Sequence, residues 1–171
     1  MREIVHLCMS SHDEVMFRNE ADLAAGFNTL ALKSYQTDSR ILAEGFITTH
    51  FHTLAQTDDY HLLMRRFRYC YTRYFNSKYK RKGSLGEKKW FSMEIDGAYH
   101  LMTALNYVMR QGLHHGLAST PFGYRHCSAN VIFAKNWERT MNQSLLMTTR
   151  YSNIFQTAIN FPKAGGWMKT G

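Results

Sequence analysis

The sequence predicts an α+β fold, because short apolar segments that suit buried strands alternate with longer segments of helical periodicity. Hydrophobic residues make up 44% of the 171 residues and there are only two prolines, a composition typical of packed globular proteins and unlike that of disordered chains. A chain of this length can bury one substantial hydrophobic core. We therefore expect one domain, in which strands and helices alternate.

The first half of the chain contains the segments of three strands and one helix. Residues 4–10 are an apolar run that suits a buried strand. Residues 19–37 place leucine and phenylalanine at helical spacing, and Asn19 is a favourable N-terminal cap. Residues 40–48 indicate a second strand, and residues 49–56 either pair with it or continue it.

The second half begins with a basic helix. Asp58 or Asp59 caps this helix, which we expect to end near Ser77, and residues 80–87 then form a charged loop that contains two glycines. A further strand follows at residues 90–95.

A last helix completes the predicted domain. Asp96 is expected to cap it, and Gly112 to end it just past Gln111. The order β-α-β-β-α-β-α starts with the six elements of the ferredoxin-like fold, an antiparallel sheet with two helices on one face, and adds a C-terminal helix. Beyond Gly116 the pattern weakens, and residues 127–133 start a strand or a helix.

The basic residues are concentrated in one region. Lysine and arginine number 21 against 13 acidic residues, for a formal net charge of +8, which favours a polyanionic partner. Ten of them lie between positions 65 and 89, where Glu87 is the single acid and aromatic residues are interleaved. Cations beside rings suit phosphates and unpaired bases, although the helical spacing of several rings indicates that most of them face a core. The predicted nucleic-acid-binding residues are Arg65, Arg66, Arg68, Arg73, Lys78, Lys80, Arg81 and Lys82.

The composition argues against several other classes. Cys8, Cys70 and Cys127 lie far apart and show no Cys-x-x-Cys spacing, so neither a disulfide framework nor a zinc ribbon is indicated. No apolar run approaches the roughly 18 residues that a membrane span needs, and the first residues do not resemble a secretory signal. We expect a cytoplasmic protein with no membrane partner.

Two histidines form the first candidate site. Residues two apart on a strand project from the same face, so His50 and His52 bring two imidazoles together while Phe51 turns to the opposite face. This geometry suits a divalent metal ion. The chain has nine histidines, however, so one such spacing is common by chance, and the pair alone favours a structural role over a catalytic one.

Tyr107 on the predicted last helix is the second candidate. It lies at the edge of an apolar stripe, with Gln111 one turn further along the same side. A ring at the margin of a stripe is usually a half-buried packing residue. Taken together, however, two imidazoles, a tyrosine hydroxyl and a nearby amide supply both a metal site and a nucleophile.

Four sequence motifs, two of which contain the histidine pair and Tyr107, follow one another along the chain. They are Gly-Phe-Ile-Thr-Thr-His-Phe-His at 45–52, Arg-Tyr-Cys-Tyr-Thr-Arg-Tyr-Phe-Asn at 68–76, Gly-Ser-Leu-Gly-Glu at 83–87 and Tyr-Val-Met-Arg-Gln at 107–111. A tail follows with Gly116, Leu117, Pro121, Tyr124 and Ser128. Over about residues 4 to 128 the chain resembles the HUH single-strand DNA nucleases. Within them it is similar to the single-tyrosine transposases, including the repeat-associated branch that acts on palindromic hairpins.

The chain departs from the family pattern at three places. Thr48 and Thr49 precede the first histidine where asparagine is more usual, and Gly86 stands where the loop often has tryptophan. Gln111 followed by Gly112 is similar to the insertion-sequence branch, since the repeat-associated branch usually has asparagine and then proline.

The resemblance implies an activity and its residues. It implies cleavage and rejoining of single-stranded DNA next to a hairpin through a covalent 5′-phosphotyrosine at Tyr107, the chemistry of DNA transposition. It also implies that His50, His52 and Gln111 hold Mg²⁺ or Mn²⁺. Some relatives form a homodimer that exchanges the tyrosine helix, so either a monomer or a homodimer is compatible. Residues 1–128 would be the nuclease domain and residues 129–171 an extension of unknown role.

Two alternatives remain open on the sequence. In the first, the protein has the fold and the basic face of the family but has lost the cleavage activity. It then only binds single-stranded DNA or RNA that contains a hairpin. In the second, His114, His115, His126 and Cys127 bind a structural zinc ion, although these adjacent pairs lack the usual ligand spacing.

Overall fold

A computed structural model describes residues 2–133. Its elements in chain order are β1 (Glu3–Ser10), α1 (Glu20–Gln36), β2 (Arg40–Phe46), β3 (His50–Thr57), α2 (Tyr60–Tyr79), β4 (Phe91–Glu94), α3 (Gly97–Met109), α4 (Gln111–His114) and α5 (Ser128–Phe133). The predicted extension at residues 129–171 therefore lies outside the described residues, apart from its start within α5.

The four strands form one antiparallel sheet in the order β2-β3-β1-β4. This strand order and the sequence of the first six elements are those of the ferredoxin-like fold, so the predicted fold class is confirmed. Helices α1 and α2 cover one face of the sheet, and α3 packs on the other face over β2 and β3. The β4 side chains stay exposed, so the α3 face of the sheet is open at that edge.

The main core lies between the sheet and helices α1 and α2. Strand alternation turns Val5, Leu7 and Met9 of β1 towards these helices, while His6 and Cys8 face the opposite side. Residues three or four apart on α2 fill the core from the helix side: Leu63, Phe67, Tyr71 and Phe75. The prediction that most rings of the basic helix face a core is therefore confirmed.

Short-range capping determines where the first two long helices begin. Asn19 caps α1 by accepting a hydrogen bond from the Asp22 amide at 3.1 Å. Asp59, the second of the two predicted candidates, caps α2 by accepting from the Leu62 amide at 2.8 Å. Asp96 precedes α3, but its side chain makes no capping hydrogen bond.

The predicted end of the last helix is wrong. Helix α3 stops at Met109, Arg110 forms a junction, and the chain resumes as the short helix α4. Gly112 therefore lies inside α4 instead of ending a helix. A Cβ atom at Gly112 would stand 2.2 Å from the Cβ of Tyr124, so a glycine is required there by the close approach of the returning chain.

One buried carboxylate links α1 to α2. The fully buried Asp22 accepts hydrogen bonds from Lys78 Nζ at 2.6 Å, Tyr79 Oη at 2.7 Å, Tyr74 Oη at 3.0 Å and the Arg18 amide at 2.9 Å. Burial by itself favours the neutral acid. The four hydrogen bonds outweigh that effect and hold the pKa of Asp22 below its usual value of 3.8.

We expect Asp22→Asn to lower the free energy of unfolding at neutral pH by about 2 kcal/mol, less than for a fully buried ion pair because Lys78 is partly exposed. Since the folded pKa lies below the unfolded one, the carboxylate contributes fully above pH 3.8 and progressively less as the pH falls through the folded pKa. Urea unfolding at neutral and acidic pH measures both effects. The deficit should shrink in acid, and the exposed Asp13→Asn should show none; an equal deficit at both pH values contradicts the prediction.

Candidate active site

Strand β3 carries the predicted histidine pair to the sheet face on which α3 packs. Phe51, between the two histidines, points into the main core. The rings of His50 and His52 have centroids 5.1 Å apart and planes at 89°. The turn before β3 holds the first ring, since Thr49 Oγ1 lies 3.1 Å from His50 Nδ1. This contact gives His50 Nδ1 a hydrogen-bond partner within the turn.

His6 of β1 is a member of this cluster that sequence reasoning missed. Its Nε2 lies 3.0 Å from His52 Nδ1, and both rings are buried. One of these nitrogens donates a proton and the other accepts it. When His52 Nδ1 is the donor, His52 Nε2 keeps a free lone pair, which is the arrangement found when a metal-binding histidine donates its other ring N–H to a neighbouring group. Alternation along β1 predicts which side of the strand His6 occupies. The sequence does not indicate that β1 pairs with β3, and this pairing is what brings His6 next to His52.

Burial keeps these imidazoles neutral. It lowers the pKa of His52 to about 3, with further lowering by His6 and His50. Burial also lowers the pKa of His50 to about 4, helped by His115, whose ring centroid lies 5.0 Å away. The pKa of His6 falls to about 4 for the same main reason. Neutral imidazoles are the form that ligates metal ions.

The junction between α3 and α4 places Gln111 beside the histidines. Gly45 of β2 pairs with His52 in the sheet, and a Cβ there would come within 3.0 Å of the Val108 carbonyl oxygen and 3.3 Å of Gln111 Cβ. The missing side chain lets the junction approach the strand closely. The Gln111 side chain opposes the lowering of the His50 pKa, because the amide can act as a hydrogen-bond partner of the protonated ring, so the two groups lie close together.

The Gln111 amide has one satisfied end and one unsatisfied end. Its Nε2 donates to the Tyr107 carbonyl oxygen at 3.2 Å. Its Oε1 is buried and accepts no hydrogen bond from any residue between 2 and 133. An unpaired buried oxygen is costly, so its presence beside two neutral imidazoles fits a site that a cation completes.

Tyr107 lies over the histidines without being buried. Its ring centroid is 5.2 Å from that of His52 and 5.7 Å from that of His6. On the same helix Ala104 and Val108 fill a small core against the sheet, whereas Tyr107 is 46% exposed. The ring is therefore accessible to a ligand from solvent.

Two cavities meet at Tyr107. One, of about 420 Å³, has the side chains of the open sheet edge as its floor and includes His6 and His52 in its lining. The other, of about 440 Å³, is lined by polar groups that include Arg110 and Gln111.

The structure separates the predicted nucleic-acid-binding residues into two groups. Five are exposed and make no ion pair with an acid between residues 2 and 133: Arg65, Arg66, Arg73, Lys80 and Lys82. The others are engaged within the fold: Lys78 pairs with Asp22, Arg81 pairs with Glu14 at 2.6 Å, and Arg68 donates to the Lys88 carbonyl at 2.8 Å.

The zinc alternative gains no support. Between residues 2 and 133, no three histidine, cysteine, aspartate or glutamate side chains are grouped so as to hold an ion. His126 instead contacts Glu20 Oε2 at 2.9 Å.

The segment at residues 116–128 packs against strand β2. Ser128 Oγ accepts from the Glu44 amide at 2.7 Å and donates to the Glu44 carbonyl at 3.1 Å, and Cys127 forms a β-bridge with Gly45. These contacts bring Tyr124 against Gly112. The tail thus holds the junction that carries Gln111.

Comparisons with known proteins point to the same architecture. No protein-family model matches the chain, and neither does any curated protein. Among solved structures, a REP-associated tyrosine transposase bound to a REP hairpin matches with a TM-score of 0.66 at 9% identity, over 78% of this chain and 81% of that chain. The fold is similar to that of a tyrosine transposase. No helix within residues 2–133 combines the length and apolar character that crossing a bilayer requires.

Proposed function

We propose that the protein cleaves and rejoins single-stranded DNA beside a hairpin, with Tyr107 as the nucleophile, as in DNA transposition. The observation that carries the proposal is the accessible Tyr107 ring 5.2 Å from His52, next to the unpaired Oε1 of Gln111. It is supported by a fold similar to that of a transposase solved with a hairpin.

The chemistry exchanges one ester for another. The Tyr107 oxygen forms a bond to phosphorus, the bond from phosphorus to the 3′ oxygen breaks, and the 3′ oxygen leaves with a proton as a hydroxyl. The 5′ phosphate stays esterified to tyrosine, so a later 3′ hydroxyl can reverse the step without an energy source. Helix α3 fixes the ring on the protein, and an unpaired strand can present its phosphate to a fixed ring more easily than a duplex can.

His50, His52 and Gln111 would hold Mg²⁺ or Mn²⁺. The two imidazoles are neutral and the amide carries no charge, so these ligands leave the charge of the ion undiminished for the phosphate. When bound, such an ion supplies Lewis-acid neutralisation of the phosphate oxygens and orients the phosphate. His6 would act as a positioning residue by holding the His52 ring through Nδ1.

The test uses the purified chain and a labelled hairpin DNA whose unpaired flanks are randomised, since the recognised bases are unknown. With Mn²⁺ we expect a covalent adduct that survives a denaturing gel and is absent in EDTA. Tight binding of the pool without any adduct would instead favour the alternative, a module that holds DNA or RNA hairpins. The exposed cations of α2 serve both functions, so binding alone does not distinguish them.

We expect the double substitution Arg65→Gln and Arg66→Gln to weaken hairpin binding and reduce the slope of log affinity against log salt by about 2, one for each lost phosphate contact. Lys78→Gln is the matched comparison, because Lys78 is paired with Asp22. The Lys78→Gln variant should have a lower melting temperature than the wild type, but its hairpin affinity and salt slope should stay close to the wild-type values. Fluorescence anisotropy across a salt series and thermal unfolding measure the two effects, and an unchanged salt slope in the double variant would place the DNA elsewhere.

A further inference from the structure

The open edge of the sheet presents large apolar side chains beside Tyr107. Strand β4 pairs Phe91 with Cys8 and Met93 with His6, which puts both on the α3 face of the sheet. Phe91 is 51% exposed and Met93 is 38% exposed. Exposed apolar side chains that are grouped in this way indicate a binding site more often than scattered ones do.

These two side chains form the floor of the cavity of about 420 Å³ next to Tyr107. The walls are mostly rings, and the His6 centroid lies 5.5 Å from that of Phe91 and 5.7 Å from that of Tyr107. The volume is in the range of cavities that bind small planar ligands.

A polar group on the wall could read the edge of such a ligand. His100 lines the cavity, and its Nδ1 accepts a hydrogen bond from the Asp96 amide at 3.1 Å. In the neutral ring the proton is then on Nε2, which is a donor. Thr103 adds a hydroxyl to the same wall.

The far side of Tyr107 has the opposite character. The second cavity, of about 440 Å³, is lined by Asn106, Arg110, Gln111 and His114 among others. A ligand that passes Tyr107 therefore meets rings on one side and the Arg110 cation with amides on the other. A nucleotide in a single strand has this pairing of a flat apolar base with an anionic backbone.

We propose that the cavity above Phe91 and Met93 binds the unpaired base adjacent to the phosphate that Tyr107 attacks, with the base stacked on Phe91. The inference rests on the proposed function, because it assigns the base neighbouring that reaction. A base held there ties its own phosphate to the position of the tyrosine, so the cavity contributes to where the strand is cut.

The test combines abasic scanning with substitution of Phe91. Hairpin DNA selected for binding is prepared with an abasic site at each unpaired position in turn, and affinity is measured in EDTA so that no cleavage occurs. In the wild-type protein one position should lose about tenfold in affinity, as expected for one stacked base. Phe91→Ala should bind intact DNA with about the same tenfold loss of affinity. An abasic site at the sensitive position should then cause no further loss in this variant, because both changes remove the same contact.

Two variants serve as controls. Phe91→Trp should keep the wild-type profile, since indole also stacks. Tyr35→Ala removes a ring that is 62% exposed on α1, away from the cavity, and should leave the profile unchanged. Melting temperatures of all three variants show whether the fold is intact.

The proposal is overturned if no abasic position is sensitive, or if Phe91→Ala keeps the sensitive position. It is equally overturned if Phe91→Ala changes the oligomeric state in light scattering and leaves the profile unaltered, because a second copy of the chain would then cover the face. Failure of the proposed function looks different: the wild-type profile and its Phe91 dependence would persist, but no Tyr107 adduct would form with Mn²⁺.

Discussion

Tyr107→Phe should form no covalent adduct with hairpin DNA, a loss of at least about a thousandfold, while binding the same DNA within about twofold of the wild-type affinity. Phenylalanine keeps the ring beside His52 but lacks the oxygen that forms the ester. Because Tyr107 is 46% exposed, loss of the hydroxyl leaves no buried void and the melting temperature should not change. A denaturing gel with Mn²⁺ and anisotropy in EDTA measure the two quantities.

A matched control is available on the same helix. Tyr99 lies two turns before Tyr107 on α3 and is 71% exposed, more than Tyr107, so Tyr99→Phe removes a hydroxyl from a more exposed ring of the same helix. It should form the adduct at the wild-type level. If Tyr107→Phe still forms the adduct, mass spectrometry of the labelled peptide would identify the true nucleophile, and the mechanism proposed for Tyr107 would be wrong.

His52→Ala should lower adduct formation by about 100-fold or more at fixed Mn²⁺, since it removes one of the proposed metal ligands, the ring that His6 contacts. His6→Phe should weaken Mn²⁺ affinity by about tenfold, the order expected for an outer-shell partner, and excess Mn²⁺ should restore the adduct. His6→Gln retains a polar group near the former Nε2 and should recover much of the loss. Titration of free Mn²⁺ by electron paramagnetic resonance in the presence of hairpin DNA measures the affinities.

This series separates a metal role from a structural one. The exposed His61 on α2 provides a control, and His61→Ala should leave Mn²⁺ affinity and adduct formation unchanged. A merely structural role for His6 would lower the melting temperature without changing Mn²⁺ affinity. Unchanged Mn²⁺ affinity in His52→Ala would place the ion elsewhere and remove His50, His52 and Gln111 from the proposed site.

The architecture has a consequence for specificity. The tyrosine, the histidine pair and the open edge of the sheet lie on one face, whereas α2 with its exposed arginines lies on the other. If α2 binds the hairpin as proposed, the unpaired flank has to pass around the sheet to reach Tyr107. Contacts to the DNA backbone and contacts to the bases would then be made at separate places. In protein–DNA complexes generally, backbone contacts position the protein and base contacts recognise the sequence.

The features that the sequence predicted well are those determined by near neighbours. Asn19 and Asp59 cap helices through amides three residues away, and the alternation of His50, Phe51 and His52 follows from the pleat of one strand. The break at Arg110 was missed because its cause lies elsewhere in the chain. Gly112 resembles a helix terminator when it is considered alone, yet it is small because Tyr124 packs against it.

The basic residues also show the difference between what the local sequence predicts and what tertiary packing decides. Composition, charge clustering and residue periodicity by themselves predicted a basic α+β protein with two imidazoles on one strand face. Which cations are paired within the molecule was decided by the fold, since Lys78 and Arg81 pair with acids 56 and 67 residues away. The contact of His6 with His52 and the unpaired oxygen of Gln111 were likewise set by strand register and by the approach of the α3–α4 junction to Gly45. Periodicity records which side of its own element a residue occupies, but only packing between distant segments determines what it meets there.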